Sequence, residues 1–179
     1  MKKFLQFSGL IALALAVVGL VLMMVTHSVV YTDDAANNWY SGVSAIFGGG
    51  TAKITVSGFG ISISSGVTEV DAKLAWCALL GWIFALVAIL VLALGALVPV
   101  LKVKALVKWG ALLNFIAVGL LVVAGVFLFF TVSAFATANE WSGSNGWGLG
   151  AGWVIAAILF IAGGVVAMCP TVVDLLGKK

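Results

Sequence analysis

Four stretches of this chain run for about twenty residues or more without a charged side chain: Phe4 to Thr26, Leu74 to Val100, Trp109 to Phe135 and Leu149 to Cys169. About 18 to 20 consecutive apolar residues, rising 1.5 Å each in a helix, match the hydrocarbon thickness of a bilayer. Inside that layer no water is available to the backbone, so each segment must pair its own N–H and C=O groups, which a helix does. The expected fold is therefore an all-α integral membrane protein, a four-transmembrane-helix antiparallel bundle with spans over 4–26, 74–100, 109–135 and 149–169. With 64% hydrophobic and only 8% charged residues, the chain has too little polar surface to cover a soluble globule.

The connections set the packing. Inner loop 101–108 and outer loop 136–148 are short, which makes spans two and three, and spans three and four, antiparallel neighbours. The remaining connection, outer loop 27–73, is long. At its end, Thr68 with Glu69 and Asp71 reads as a helix N-cap followed by acidic residues in the first turn, and Pro99 marks the far end of span two.

Lysines orient the bundle, because cytoplasmic flanks of spans retain positive charge. Lys2, Lys3, Lys102, Lys104, Lys108, Lys178 and Lys179 all fall on one side, whereas the other carries Lys53 and Lys73 against Asp33, Asp34, Glu69, Asp71 and Glu140. Both termini are expected in the cytoplasm of a cell with the long loop outside a plasma membrane. The net charge of +3 is then a topology signal and not a nucleic-acid footprint, and the absence of arginine argues against bidentate phosphate capture. "MKK" followed by an apolar run also resembles a secretory leader, but the run exceeds the 7–15 residues of a leader's apolar region, so a retained anchor is expected.

Within loop 27–73, "KITVSGFGISISSG" alternates apolar and polar residues around Gly58-Phe59-Gly60, the pattern of a β-hairpin. Ile54 and Val56, then Ile61 and Ile63, share faces, and with Phe59 they form the candidate interaction surface. One hairpin is marginal alone, so "WYSGVSAIF" is expected to supply a third strand, with Gly48-Gly49-Gly50 as a flexible link. The expectation is a small extracellular β-hairpin or three-stranded sheet capping the bundle.

Trp39, Trp76, Trp141, Trp147 and Trp153 map near the outer interface and Trp109 near the inner one, as an aromatic belt would. A convergent cluster of these rings would instead suggest a ligand cage. Small residues recur every four positions at Ser8, Ala12 and Ala16, at Gly148, Gly152 and Ala156, and at Gly163 and Ala167. In lipid such stripes let helices approach closely, within one chain or between copies.

The chemical inventory is sparse. His27 is the single histidine, Cys77 and Cys169 lie about a bilayer apart, and no metal, nucleophile or nucleotide-binding motif is present. No catalytic residue, cofactor or metal is expected. Asp33 and Asp34 beside Asn37 and Asn38 offer oxygen ligands but lack the spacing of a calcium loop, and read as a solvated turn. The spans contain no ionisable relay, and Asn114 is the candidate intramembrane polar residue, for an interhelical hydrogen bond or a pore lining.

Four spans with cytoplasmic ends, a long first outer loop of strand character containing Trp39, and a short second outer loop resemble the claudin and peripheral-myelin-protein tetraspan arrangement. The resemblance is one of topology over the whole chain. The family's Gly-Leu-Trp triplet and loop cysteine pair have no counterpart, so no functional residue is carried over. It implies a small adhesive, barrier-forming or partner-modulating protein. The expected function is accordingly a non-enzymatic tetraspan protein that contacts membrane lipid and a membrane-protein partner or a second copy through its outer β-bearing loop. An oligomeric channel or small permease, and a lipid-binding membrane protein, are the alternatives.

Overall fold

The computed structural model describes residues 2–31, 38–58, 61–101, 110–141 and 146–176, with side chains described over 7–31, 38–55, 66–95, 112–141 and 146–169. Helices account for most of the chain: α1 (Lys2–Val25), α2 (Gly42–Phe47), α3 (Trp76–Leu101), α4 (Gly110–Phe129), α5 (Thr131–Ala138) and α6 (Ala151–Leu176). Strands β1 (His27–Tyr31), β2 (Trp39–Ser41), β3 (Thr51–Gly58), β4 (Ile61–Glu69) and β5 (Trp147–Leu149) form one antiparallel sheet.

Four helices, α1, α3, α4 and α6, are long and apolar enough to cross a membrane. They pack as a ring in which α3 lies beside α1 and α4, and α6 lies beside α4 and α1. Consecutive long helices are therefore neighbours, as short connections require. Alanines 12, 16, 85, 88, 117, 124, 156 and 157 are fully buried between them, with Leu92, Leu121, Leu128 and Phe160 filling the interior. Their outer faces carry exposed Leu10, Val18, Leu90, Leu94, Phe115 and Ile158.

Three boundaries differ from the sequence reading. Thr68 and Glu69 do not cap a helix: both belong to β4, paired with Ala52 and Thr51, and α3 starts at Trp76. Cross-strand pairing over the whole of β3 overrides the local capping pattern. Span three is not one helix, since Phe130 (φ −88°, ψ −2°) interrupts it and its N–H closes a tight turn on the Phe127 carbonyl at 3.1 Å. Finally, α6 has 26 residues and continues past Cys169 to Leu176, whereas α3 ends at Leu101, within one residue of the expected end of span two.

The sheet is larger than a hairpin with one added strand. Its order is β4-β3-β2-β1-β5, so the segment directly after α1 and a strand from the second connecting loop both join it. Val29 and Val30 suit the pleat and pair with Leu149 and Gly148 of β5 as well as with Tyr40 and Trp39 of β2. Of "WYSGVSAIF", only Trp39 to Ser41 is strand. Ser41 then caps α2, its Oγ accepting from Ser44 N–H at 3.3 Å and from Thr51 N–H at 3.3 Å. The Gly48-Gly49-Gly50 run is not a flexible link: all three residues hold positive φ, and Gly49 N–H donates to the Ala72 carbonyl at 2.7 Å.

Sheet and bundle meet through close backbone contacts. Gly42 abuts the Met23 carbonyl and donates its N–H to the Thr26 carbonyl at 2.9 Å, while Gly150 abuts the His27 carbonyl and donates to Ser28 at 2.9 Å. The ends of α1, α3, α5 and α6 that adjoin strands are consequently gathered at one end of the bundle.

Candidate functional site

The sheet presents two edges, the three-residue β5 and the nine-residue β4. Lys53 faces Val67 but Thr55 faces Ser64, so β4 carries a bulge, with Gly66 at φ +67° and Val67 62% exposed. Of the expected interaction surface, Ile54 is half-buried in β3; the side chains of Val56, Ile61 and Ile63 and the whole of Phe59 lie outside the described residues, although the backbones of Val56 and Ile63 are register partners. Asn38 anchors β3 from the side, accepting from Thr55 N–H at 2.6 Å and donating to the Thr55 carbonyl at 3.3 Å. Asp33, Asp34 and Asn37 lie outside the described residues.

Trp39, Trp76, Trp141, Trp147 and Trp153 all lie at the sheet end of the bundle, in different surroundings. Trp153 is fully buried and donates from Nε1 to the Met23 carbonyl, and His27 stacks on Trp39 with centroids 3.9 Å apart and planes 3° apart. Tyr40, Phe135, Trp141 and Trp147 converge with centroid separations of 4.7 to 5.8 Å, and Tyr31 extends the group through Trp147. These rings touch one another edge-on or tilted, filling the junction between sheet and α5 without leaving a cage. Burial there pushes the Tyr40 phenol further above its ordinary range. Trp76 alone of the expected belt stands mostly exposed, and Trp109 lies outside the described residues.

The small residues take two roles. Ser8, Ala12, Ala16, Ala156, Gly163 and Ala167 are all buried in the bundle, and a Cβ at Gly163 would stand 3.3 Å from the Ala12 carbonyl. Gly152 touches Thr26. Gly148, expected in the same helical stripe, belongs instead to β5, opposite Val30. Asn114 is half-buried on α4 with Oδ1 facing Gly95 of α3, where a Cβ would meet it at 3.4 Å.

The hollows at this end of the described residues include two that adjoin the sheet–bundle junction. One, about 480 Å³, opens outward beside Gly50 and Asp71. The other, about 330 Å³, is an apolar groove on the flank of the bundle between the start of α3 and the α4–α5 interruption, walled by Trp76, Phe127 and Phe130 and floored by Cys77 and Ala134. Sequence reasoning did not find it, because it depends on the break at Phe130, which no glycine or proline marks. At its Thr137 end Lys73 and Glu140 form an ion pair of 2.6 Å, both largely exposed. Asn139 joins the two segments, accepting from Lys73 N–H at 2.8 Å and donating to the Lys73 carbonyl at 3.0 Å. The Lys73 ammonium, by its hydrogen bond and then by its charge, holds the Glu140 carboxyl below its ordinary value.

No protein-family model matches this chain, and no curated protein matches it.

Proposed function

We propose that this chain is a non-enzymatic, multi-pass protein of a plasma membrane that contacts another membrane protein, or a second copy of itself, through the outer sheet. The observation that carries the reading is β4, a nine-residue strand that is the terminal strand of the sheet among the described residues, in a sheet joined to the bundle by backbone hydrogen bonds. A long strand at the end of a sheet is the element that another strand most readily extends, and proteins otherwise shorten or cover such edges.

Membrane placement is supported by the exposed leucine, valine, isoleucine and phenylalanine side chains around all four long helices, a surface far too apolar for water. The orientation rests on charge in the sequence: α3 ends at Leu101 and α4 begins at Gly110, and the stretch between them contains Lys102, Lys104 and Lys108, which supports an outer sheet and cytoplasmic termini. The claudin-like arrangement is part of the proposal, supported by a sheet built mainly from the first long loop. Close packing of Leu92, Leu121 and Phe160 within the ring supports this reading over a channel or permease running through the bundle.

Replacing residues 56–63 with a glycine-serine linker of equal length keeps the Asn38–Thr55 and Trp39–Lys53 contacts and removes the outer half of the hairpin. In intact membranes the native chain is expected to give a crosslinked species, and this variant to insert normally and lose it. An unchanged crosslinking pattern overturns the proposal.

A further inference from the structure

The flank groove between α3 and α5 and the Lys73–Glu140 ion pair are neighbours in the fold: Thr137, which lines the groove, accepts from Glu140 N–H at 3.3 Å, and Lys73 stands three residues before Trp76. Trp76 and Phe130 are each 57% exposed along the groove, with Phe127 packed edge-on against Trp76 at 6.0 Å. Such rings lining an indentation on an apolar helix face suit an acyl chain. Ser133 and Thr137 supply the only hydroxyls on the groove wall, and Thr137 Oγ1 donates inward to the Ser133 carbonyl at 2.9 Å.

Beyond Thr137 the surface becomes charged but neutral in sum. Lys73 Nζ uses one donor on Glu140 Oε1, leaving further N–H groups, and the carboxylate retains its second oxygen. Glu140 occupies the left-handed region at φ 58°, the only non-glycine residue among those described to do so. It closes the end of α5 in a Schellman turn, with Trp141 N–H on the Ala136 carbonyl at 3.0 Å and Glu140 N–H on Thr137 at 3.3 Å. Glycine is the usual residue at that position, so a carboxylate there is not required by the turn.

We propose that this groove binds one phospholipid with a phosphoethanolamine headgroup, its acyl chain against Trp76, Phe127 and Phe130, its phosphate on Lys73 and its primary ammonium on Glu140. Adjacent plus and minus charges complement adjacent minus and plus charges on the headgroup, and the carboxylate accepts N–H hydrogen bonds that a quaternary ammonium lacks. An anionic headgroup gains Lys73 but is repelled by Glu140. Trp141, the ring beside Glu140 in sequence, is committed to the sheet junction with Tyr40 and Trp147. The site goes beyond the sheet's proposed role and does not depend on what the sheet contacts.

The full chain in detergent, titrated separately with phosphatidylethanolamine, phosphatidylcholine and phosphatidylglycerol of one acyl composition, tests this by native mass spectrometry. One phosphatidylethanolamine per chain is expected to be retained in preference to the other two. Glu140→Gln and Lys73→Met, both at exposed positions, are each expected to weaken that retention about fivefold, the upper range for one exposed charge contact. Ser133→Phe, which intrudes on the groove from an exposed position, should reduce retention of every lipid. Equal retention of phosphatidylglycerol, or retention unchanged in both charge variants, overturns the headgroup assignment. Retention unaffected by Ser133→Phe, or a particle of two chains that this substitution splits, overturns the lipid groove.

Discussion

The indole of Trp153 donates from Nε1 to the backbone carbonyl of Met23 across 3.0 Å, joining the first turn of α6 to the last turn of α1. Met23 belongs to the four terminal carbonyls that a helix cannot satisfy by itself, and both residues are fully buried, so no water replaces this donor. Trp153→Phe is expected to cost about 1–3 kcal/mol, the penalty of a buried acceptor left unpaired. Reversible unfolding in mixed micelles, compared with Trp76→Phe at an exposed ring, measures it.

Glycines divide into those that allow the sheet to seat and those that do not matter. A Cβ at Gly42 would collide with the Met23 carbonyl and one at Gly150 with the His27 carbonyl, both backbone atoms that cannot rotate aside. Gly42→Ala and Gly150→Ala are therefore expected to destabilise by about 3 kcal/mol or more. Gly9 and Gly119 meet nothing within 4 Å, and their alanine variants should match or exceed the native midpoint, since alanine favours helix. Thermal unfolding in one detergent orders the four variants.

These contacts also explain what could be read in advance. The four spans are legible because uninterrupted apolar composition has one outcome in a membrane, and the β3–β4 hairpin because its alternation is local. The remaining sheet is not. Trp147-Gly148-Leu149 has no strand signal of its own and becomes β5 through pairing with Val29, Val30 and Tyr31, more than a hundred residues away. Thr68, Glu69 and Asp71 carry a sound capping pattern that loses to the long ladder from Thr51 to Gly58. Of the flank groove, the apolar walls are visible in the sequence but the break at Phe130 that shapes them is not, and the Lys73–Glu140 pair arises only when two loops are brought side by side.

Acid should loosen the sheet end in two separable steps. Burial against its surroundings lowers the His27 pKa from 6.5, so the unfolded chain binds protons more readily and stability falls as pH drops below about 6.5. Glu140 is held below 4.5 by Lys73, so its contribution is complete above about 4.5 and is lost as pH falls further. Thermal midpoints from pH 8 to about pH 3 are expected to decline in both ranges. His27→Gln should flatten the upper decline alone, and added salt should weaken only the lower one, because the ion pair is exposed.

The seam between α1 and α6 closes the ring, since it joins the first and last long helices without a connecting loop. Ala12 and Ala16 are fully buried there, the Ala12 carbonyl lies 3.3 Å from where a Gly163 Cβ would stand, and Gly19 accommodates the Phe160 ring. Small side chains let these backbones approach within van der Waals contact, which replaces the hydrophobic drive absent between helices in lipid. Ala12→Leu inserts three carbons where no void exists and is expected to destabilise by about 1–3 kcal/mol. The stripe is consumed within the chain, so this loss should appear as a lower unfolding midpoint with the particle mass in detergent unchanged. A change of mass with an unaltered midpoint would assign the stripe to contacts between copies instead.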